Sequence, residues 1–256
     1  MENISVKPVW SKSKDEIWDE VFEPLCVQKD SGGFRLRISK WSYAAAIFIP
    51  ILLICHFYTV TEETARSEHA TVQLPGRSTV TLNAESKIAY KPFVWFISRK
   101  VQLEGEACFD VKPGSRFDVQ SGDNRVTVLG TTFNVYARRD AYRVACLTGQ
   151  VEVRAGQQAT VLNPAMQATF RENKFSINGH VDPSAVTGWM QGRFVFSGTP
   201  LQEVIAEVER QYNLYITPDL HYDPEHLYTG NFTKTENPEE ILEIIGKAFG
   251  ITFSIE

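Results

Sequence analysis

Val126-Thr127-Val128-Leu129-Gly130-Thr131-Thr132-Phe133-Asn134-Val135 is the stretch that decides the fold of most of this chain. It holds two short apolar–polar alternations, 126–129 and 133–135. A period of two sends successive side chains to opposite faces, so each alternation reads as a half-buried strand. Working outward, the same pattern recurs at 79–82, 151–153 and 175–177. Turn signals punctuate it: Pro75-Gly76, Pro113-Gly114, Gly122-Asp123, Gly149-Gln150, Asn163-Pro164 and Asn178-Gly179. No long helical period interrupts 71–180. That block is expected to be mainly β, an antiparallel sandwich, a barrel or a solenoid-like stack.

Residues 181–256 carry an internal repeat. Gly192-Arg193-Phe194 recurs as Gly230-Asn231-Phe232 and Pro200 as Pro238, each 38 positions on. Within the following segments the offset is 37, matching Val204, Ile205, Val208 and Tyr212 with Ile241, Leu242, Ile245 and Phe249. Each unit reads as a strand, a capped helix and a second strand. The cap signals are Thr199-Pro200 with Gln202, and Asn237-Pro238 with Glu240. Asn213 and Gly250 suit left-handed helix ends. The expected product is a small α+β domain of two βαβ repeats sharing one sheet. Phe194, Phe196 and Phe232 read as core, while the strand edges at 192–197 and 230–234 remain open to a pairing partner.

Toward the N-terminus, residues 41–60 (WSYAAAIFIPILLICHFYTV) contain no Asp, Glu, Lys or Arg. About twenty helical residues span about 30 Å, the thickness of a bilayer's hydrocarbon. Lys29, Arg35, Arg37 and Lys40 precede the run, and Glu62 and Glu63 follow it. The positive-inside bias therefore places residues 1–40 in the cytoplasm, 61–70 as a linker outside, and the bulk of the chain beyond it. A cleaved signal peptide fits poorly, because its leader would be about forty residues long. Pro50 at mid-segment is better tolerated in lipid than in a soluble helix.

The head is short. Ser13-Lys14-Asp15-Glu16 has the form of a capping box, and Ile17, Trp18, Val21 and Phe22 then share one face before Pro24. A helix of about ten residues is not stable alone in water, so this stripe needs a surface to lie on. Asp15, Asp19, Glu20 and Glu23 disfavour an anionic membrane and favour a protein partner.

A net charge of −5 and a pI near 5.6 leave no basic footprint for nucleic acid. Four cysteines occur with no C-x-x-C. Cys108 and Cys146 could pair in an oxidising compartment, and both also sit in apolar strand patterns that suit buried thiols. No nucleophile elbow, H-E-x-x-H or Walker loop is present. His221, Asp223, Glu225 and His226 form the densest polar cluster, read as the loop between the repeats. Glu104 and Glu106, two apart in a strand, read as a solvated face. No catalytic set, cofactor or metal site is expected. An enzyme on this scaffold would need converging carboxylates, with Glu104, Glu106, Asp110 and Asp118 the ones to test.

Three strings carry a family resemblance: Leu74-Pro75-Gly76-Arg77-Ser78-Thr79-Val80-Thr81-Leu82-Asn83, Leu103-Glu104-Gly105-Glu106-Ala107-Cys108-Phe109-Asp110-Val111, and 128–135 quoted above. With Trp189 leading into Gly192-Arg193-Phe194-Val195-Phe196 and then Pro200-Leu201, they resemble the hallmark segments of FecR-like transmembrane regulators. The resemblance covers roughly residues 65–253, in the family's order after a single span. It departs from the family in the short head, in Pro75-Gly76-Arg77 for the usual Pro-Asp-Gly, and in Cys108 where an aromatic is common.

The resemblance implies an inner-membrane protein that regulates an extracytoplasmic-function sigma factor. The head, through Ile17, Trp18, Val21 and Phe22, would bind the sigma factor. The periplasmic C-terminal domain, similar to signalling domains of secretins and TonB-dependent transporters, would receive an outer-membrane transporter's signalling domain. Phe194, Phe196, Leu201, Val204, Ile205 and Phe232 would shape that contact. The rival reading is a membrane-anchored periplasmic binding or scaffold module with an inert head.

Overall fold

The computed structural model describes residues 12, 13, 15, 16, 50, 53–138, 141–171, 173–219, 222–235 and 237–255. In the head, Ser13 and Glu16 form the expected capping box. Glu16 N donates to Ser13 Oγ at 3.2 Å, and Ser13 N donates to Glu16 Oε2 at 2.9 Å. Ile17, Trp18, Val21 and Phe22 lie outside the described residues, as does most of 41–60. Residues 53–57 are helical. Among the described residues no helix is long and apolar enough to cross a membrane.

The last residue of the run 41–60, Val60, opens strand β1 (Val60–Thr64). The stretch expected as a linker is thus β1 and the turn after it. Twelve more strands complete the β domain. They are β2 (Ala70–Gln73), β3 (Thr79–Leu82), β4 (Ser86–Tyr90), β5 (Arg99–Asp110), β6 (Phe117–Ser121) and β7 (Asn124–Val128). There follow β8 (Thr132–Arg138), β9 (Ala141–Cys146), β10 (Val151–Ala155), β11 (Gln158–Leu162), β12 (Gln167–Arg171) and β13 (Lys174–Asn178).

Strand β5 organises them. Its first half pairs with β4 and, in parallel, with β6; its second half pairs with β3 and β8. One layer therefore runs β1-β4-β5-β6-β7-β10-β11 and the other β2-β3-β5-β8-β9-β12-β13. The layers are two parts of one nearly closed sheet wrapped on a single core. Two layers over one core fit the sandwich or barrel alternatives rather than the solenoid, and among the described residues β5–β6 is the one parallel pair. Phe109 stacks on Phe133 at 5.0 Å in that core, with Val80, Ile88, Val101, Phe117 and Val153 around them.

Gly105 is the hinge between layers. Glu104 still pairs with Lys87 of β4, whereas Gly105 opens the pairing with β8. Its φ of +95° is a conformation side chains avoid, and a Cβ there would lie 2.8 Å from Ser86 Cα.

The C-terminal unit confirms the repeat and corrects its pairing. It runs β14 (Arg193–Pro200), α2 (Leu201–Tyr212), β15 (Ile216–Pro218), β16 (Leu227–Thr233), α3 (Pro238–Phe249) and β17 (Phe253–Ile255), after the short α1 (Pro183–Val186). The repeats do not share one sheet. Instead β14 pairs with β16 and β15 with β17, each antiparallel, as two separate ribbons. Phe194 lies opposite its own repeat-mate Phe232, and Thr217 opposite Ser254. Each ribbon thus pairs equivalent residues of the two repeats with one another.

The caps differ between the halves. Asn237 Oδ1 accepts from Glu239 N at 3.2 Å, as expected. Thr199 makes no cap, because β14 continues through Pro200. The first amides of α2 donate instead to the inter-repeat loop: Leu201 N to His226 O at 2.8 Å, and Gln202 N to Pro224 O at 3.1 Å.

Candidate functional site

Alternation along β5, β8 and β9 sends Phe109, Phe133, Val144 and Cys146 into the β core. It sends Glu106, Cys108, Asn134, Tyr136 and Arg143 to the opposite face. In an isolated domain that face would be wet. Here α2 covers it. The sequence reading of Glu106 as solvated is therefore corrected: Glu104 is exposed, but Glu106 is 8% exposed.

The covered face is a polar seam. Asn83 Nδ2 donates to Glu106 Oε2, and Asn134 Nδ2 donates to Glu106 Oε1, both at 2.8 Å. From α2, Gln211 Nε2 reaches Asn83 Oδ1 and Glu207 Oε1, again at 2.8 Å each. Arg210 Nε and Nη2 hold Glu207 Oε2 at 3.2 and 2.8 Å. One turn earlier, Glu203 accepts from Arg143 Nη1 at 2.6 Å and from Arg171. The Arg143 guanidinium lies 3.9 Å over the Tyr136 ring. Arg138 ties the rim by donating to the Ala84 and Glu85 carbonyls at 2.6 and 2.8 Å.

The two buried carboxylates are not equivalent. Desolvation, and then the nearby charge of Glu207, push the Glu106 carboxyl above its ordinary value, only partly offset by Arg138 and the two Asn amides. Burial would also raise Glu207, but Arg210 and Arg138 outweigh it and hold the group below its ordinary value. Glu106 is thus the member that takes the first proton. A raised acid favours the fold below its unfolded value and loses that contribution as pH rises through the folded one. Glu106→Gln is therefore expected to stabilise the protein at pH 7–8 and to be neutral well below 4.5, the ordinary Glu value. Asn134 Oδ1 has no partner among the described residues, so with that amide turned it would accept from the new Gln. Chemical denaturation across pH 4–8 measures the difference.

The seam also meets the chain just beyond the apolar run. Thr64 Oγ1 donates to Asn83 O at 2.6 Å. Ser67 N donates to Arg210 O at 2.7 Å, and Lys234 Nζ donates to Ser67 O at 2.8 Å. Arg66 Nη1 reaches Leu214 O at 3.2 Å, its guanidinium 4.8 Å over Tyr215. A cleft of about 890 Å³ opens beside the seam, lined among others by Tyr136, Arg171, Trp189 and Phe196.

The predicted contact residues sit inside the C-terminal unit. Phe194, Leu201, Val204, Ile205 and Phe232 are buried in its core, with Phe194 on Phe232 at 4.9 Å and Phe196 partly buried against them. Only Phe196 adds a side chain to the surface, at the cleft; the others form none. The strand edges do: each ribbon has only two strands, so every strand keeps an unpaired edge among the described residues. The helices face different surroundings as well. Glu207 and Arg210 of α2 are buried, whereas Ile244 and Lys247, their repeat-mates on α3, are exposed.

Other expectations resolve plainly. Cys108 packs with the C-terminal unit and Cys146 in the β core; both are free thiols on opposite faces of one layer. Burial raises them to about 12 and about 11. Among the described residues no cluster could hold a metal ion, and His221 lies outside them. The four carboxylates suggested for an enzyme do not converge. Glu106 is held by two Asn amides, Asp118 by Arg116 and Thr127, and Asp110 by Lys112, while Glu104 is exposed.

The seam itself was missed from sequence. Its one trace was a residue of apolar character, Cys108, alternating with Glu106 onto the face away from the β core.

Comparison with known proteins agrees with this architecture. The family pattern "FecR protein" matches residues 60–152, and "FecR, C-terminal" matches residues 193–256. No curated protein matches the chain. A crystal structure of a "putative anti-sigma factor" from Parabacteroides distasonis ATCC 8503, at 2.50 Å resolution, is similar with a TM-score of 0.69 and 30% identity. That match covers 78% of this chain and 95% of the other. A second such structure from the same organism, at 1.65 Å, has a TM-score of 0.68 and 28% identity, covering 76% and 98%. The β domain and the repeated C-terminal unit thus both match one group of regulators, generally non-enzymatic, and the chain belongs to the FecR-like anti-sigma factor family.

Proposed function

We propose that this protein is a single-pass inner-membrane regulator of an extracytoplasmic-function sigma factor, with residues 1–40 in the cytoplasm and the bulk of the chain in the periplasm. The head binds the sigma factor through Ile17, Trp18, Val21 and Phe22. The C-terminal unit receives the signalling domain of an outer-membrane TonB-dependent transporter. The transporter's domain adds to an open strand edge at 192–197 or 230–234, with Phe194, Phe196, Leu201, Val204, Ile205 and Phe232 setting the shape of those strands from within. Main-chain pairing supplies affinity at such an edge, and flanking side chains supply specificity.

The observation that carries this reading is the seam. A relay needs an element that both partners bias. Through Glu207, Arg210 and Gln211, α2 joins the receiving unit to the β domain, and through Ser67 it joins the chain that leads back to the apolar segment.

The test is copurification of the full-length protein, in detergent, with the extracytoplasmic-function sigma factor of the same genome. The sigma factor should be retained, and Trp18→Asp with Phe22→Asp should lose it while the periplasmic part keeps its melting temperature. Equal retention by the native and doubly substituted proteins would move the output elsewhere and favour the anchored scaffold.

A further inference from the structure

Residues 91–100, Lys91-Pro92-Phe93-Val94-Trp95-Phe96-Ile97-Ser98-Arg99-Lys100, form a turn whose apolar side chains point both ways. Pro92–Val94 is a 3-10 turn closed by Trp95 N donating to Pro92 O at 3.4 Å, and a second turn follows in which Ile97 N and Ser98 N donate to Val94 O at 3.0 and 2.9 Å. Trp95 goes inward, 5% exposed, its ring 5.8 Å from Tyr90 and 5.7 Å from Phe117. With Trp95 pinned, Phe96 and Ile97 are thrust outward, 82% and 79% exposed, and Phe93 joins them. Nothing in the fold requires that exposure. Contiguous exposed apolar side chains on a folded domain mark a contact surface.

The turn's position says which surface. Val60 pairs with Tyr90, so the start of β1 and the end of β4 lie at the same end of the sheet. The end of the helix that precedes β1 and the residue after it pack on the turn, with Lys91 Nζ 5.7 Å over the Phe57 ring and the Tyr58 ring 5.3 Å from Phe93. Leu53, Ile54 and Phe57 on that helix are exposed too, so the helix and the turn make one continuous apolar patch. Exposed Leu129 follows β7 at this same end, since Arg99 of β5 pairs with Phe117 and Phe117 with Val128. Only two residues, Tyr58 and Thr59, separate helix from strand.

We propose that this turn is a second membrane contact: Phe93, Phe96 and Ile97 enter the bilayer interface beside the apolar segment, with Lys91 and Lys100 at the level of the lipid headgroups. Apolar side chains on such elements enter about 5–10 Å, and flanking cations are attracted to anionic headgroups. The contact holds the β domain against the membrane, so β1 cannot pivot freely on its two-residue junction. The inference rests on the anchored reading of residues 41–60, and the experiment separates the two.

The full-length protein is reconstituted in vesicles of phosphatidylcholine and phosphatidylglycerol with a photo-crosslinking residue at one position. The variants are Phe96→p-benzoylphenylalanine, Leu53→p-benzoylphenylalanine and, in the β6–β7 turn away from the patch, Asp123→p-benzoylphenylalanine. Lipid adducts are read by mass spectrometry. Adducts at 53 and 96 with none at 123 are the expected result. Adducts at 53 but none at 96 overturn the proposal while keeping the anchor. Crosslinking at 96 to a second copy of the chain overturns it in favour of self-association. Adducts at 96 but none at 53 sustain the turn's contact and refute the span, and their absence at both positions refutes both.

Discussion

Replacing Glu207 with Ala is expected to lower the unfolding free energy by about 3–5 kcal/mol and to loosen the C-terminal unit from the β domain. The estimate follows from breaking a buried ion pair by removing one partner. Arg210, buried beside it, would lose the carboxylate that takes its Nε and Nη2. Gln211 would lose one of its two acceptors. The cost falls at an interface between units, so unfolding of the variant should separate into two steps, whereas the native protein should unfold in one. Hydrogen exchange should rise first in α2 and in residues 64–69, the segment tied to Thr64 and Ser67. A buried pair is not by itself stabilising relative to apolar residues. Glu207→Met combined with Arg210→Leu is therefore expected to recover stability without recovering the contacts of Gln211. A single cooperative transition in Glu207→Ala, at native stability, would mean that the seam does not join the units.

The second large effect is expected at Gly105. An Ala there must adopt φ +95°, which costs about 1–3 kcal/mol on its own. Its Cβ would also lie 2.8 Å from both Cα and Cβ of Ser86, where backbone cannot give way cheaply. Ser86 Oγ accepts from Glu106 N at 3.0 Å, so the displaced strand carries the seam's central carboxylate with it. Gly105→Ala should therefore abolish the native fold or reduce soluble yield severely. Gly122→Ala is the matched control, with φ +56° and nothing within 4 Å of the added Cβ. Comparable expression and melting temperature of the two variants would show that β5 can cross between layers without its glycine.

Much of this fold was legible because its signals are local. The alternations at 79–82, 151–153 and 175–177 fall on strands, as does 126–128 with Leu129 just past the end of β7, and the repeated helices bury the matched positions Val204, Ile205, Val208, Ile241, Leu242 and Ile245. Periodicity says which face is apolar but not which strand lies next to which. The repeat therefore appeared without its ribbon pairing, and the sandwich without the crossing of β5. The Thr199 cap failed for a related reason, since the carbonyls that replace it arrive from residues 224–226. Glu106 shows the limit most clearly. Alternation places it outward, and outward means solvent until a second unit docks. Asn83, Glu207, Arg210 and Gln211 belong to the same long-range event, and nothing within a few residues of any of them announces it. Phe194, Phe196 and Phe232 read as core from their pattern, and Phe194 and Phe232 do fill the core behind the strands whose edges remain open.

The most direct test of the account measures coupling. The affinity of the full-length protein in lipid nanodiscs for its sigma factor would be determined with and without the isolated signalling domain of the partner transporter. The account predicts that the domain changes sigma-factor affinity, that the sigma factor changes domain affinity by the same factor, and that Glu207→Ala abolishes the coupling while both partners still bind. Sigma-factor affinity unchanged by a bound signalling domain would contradict it.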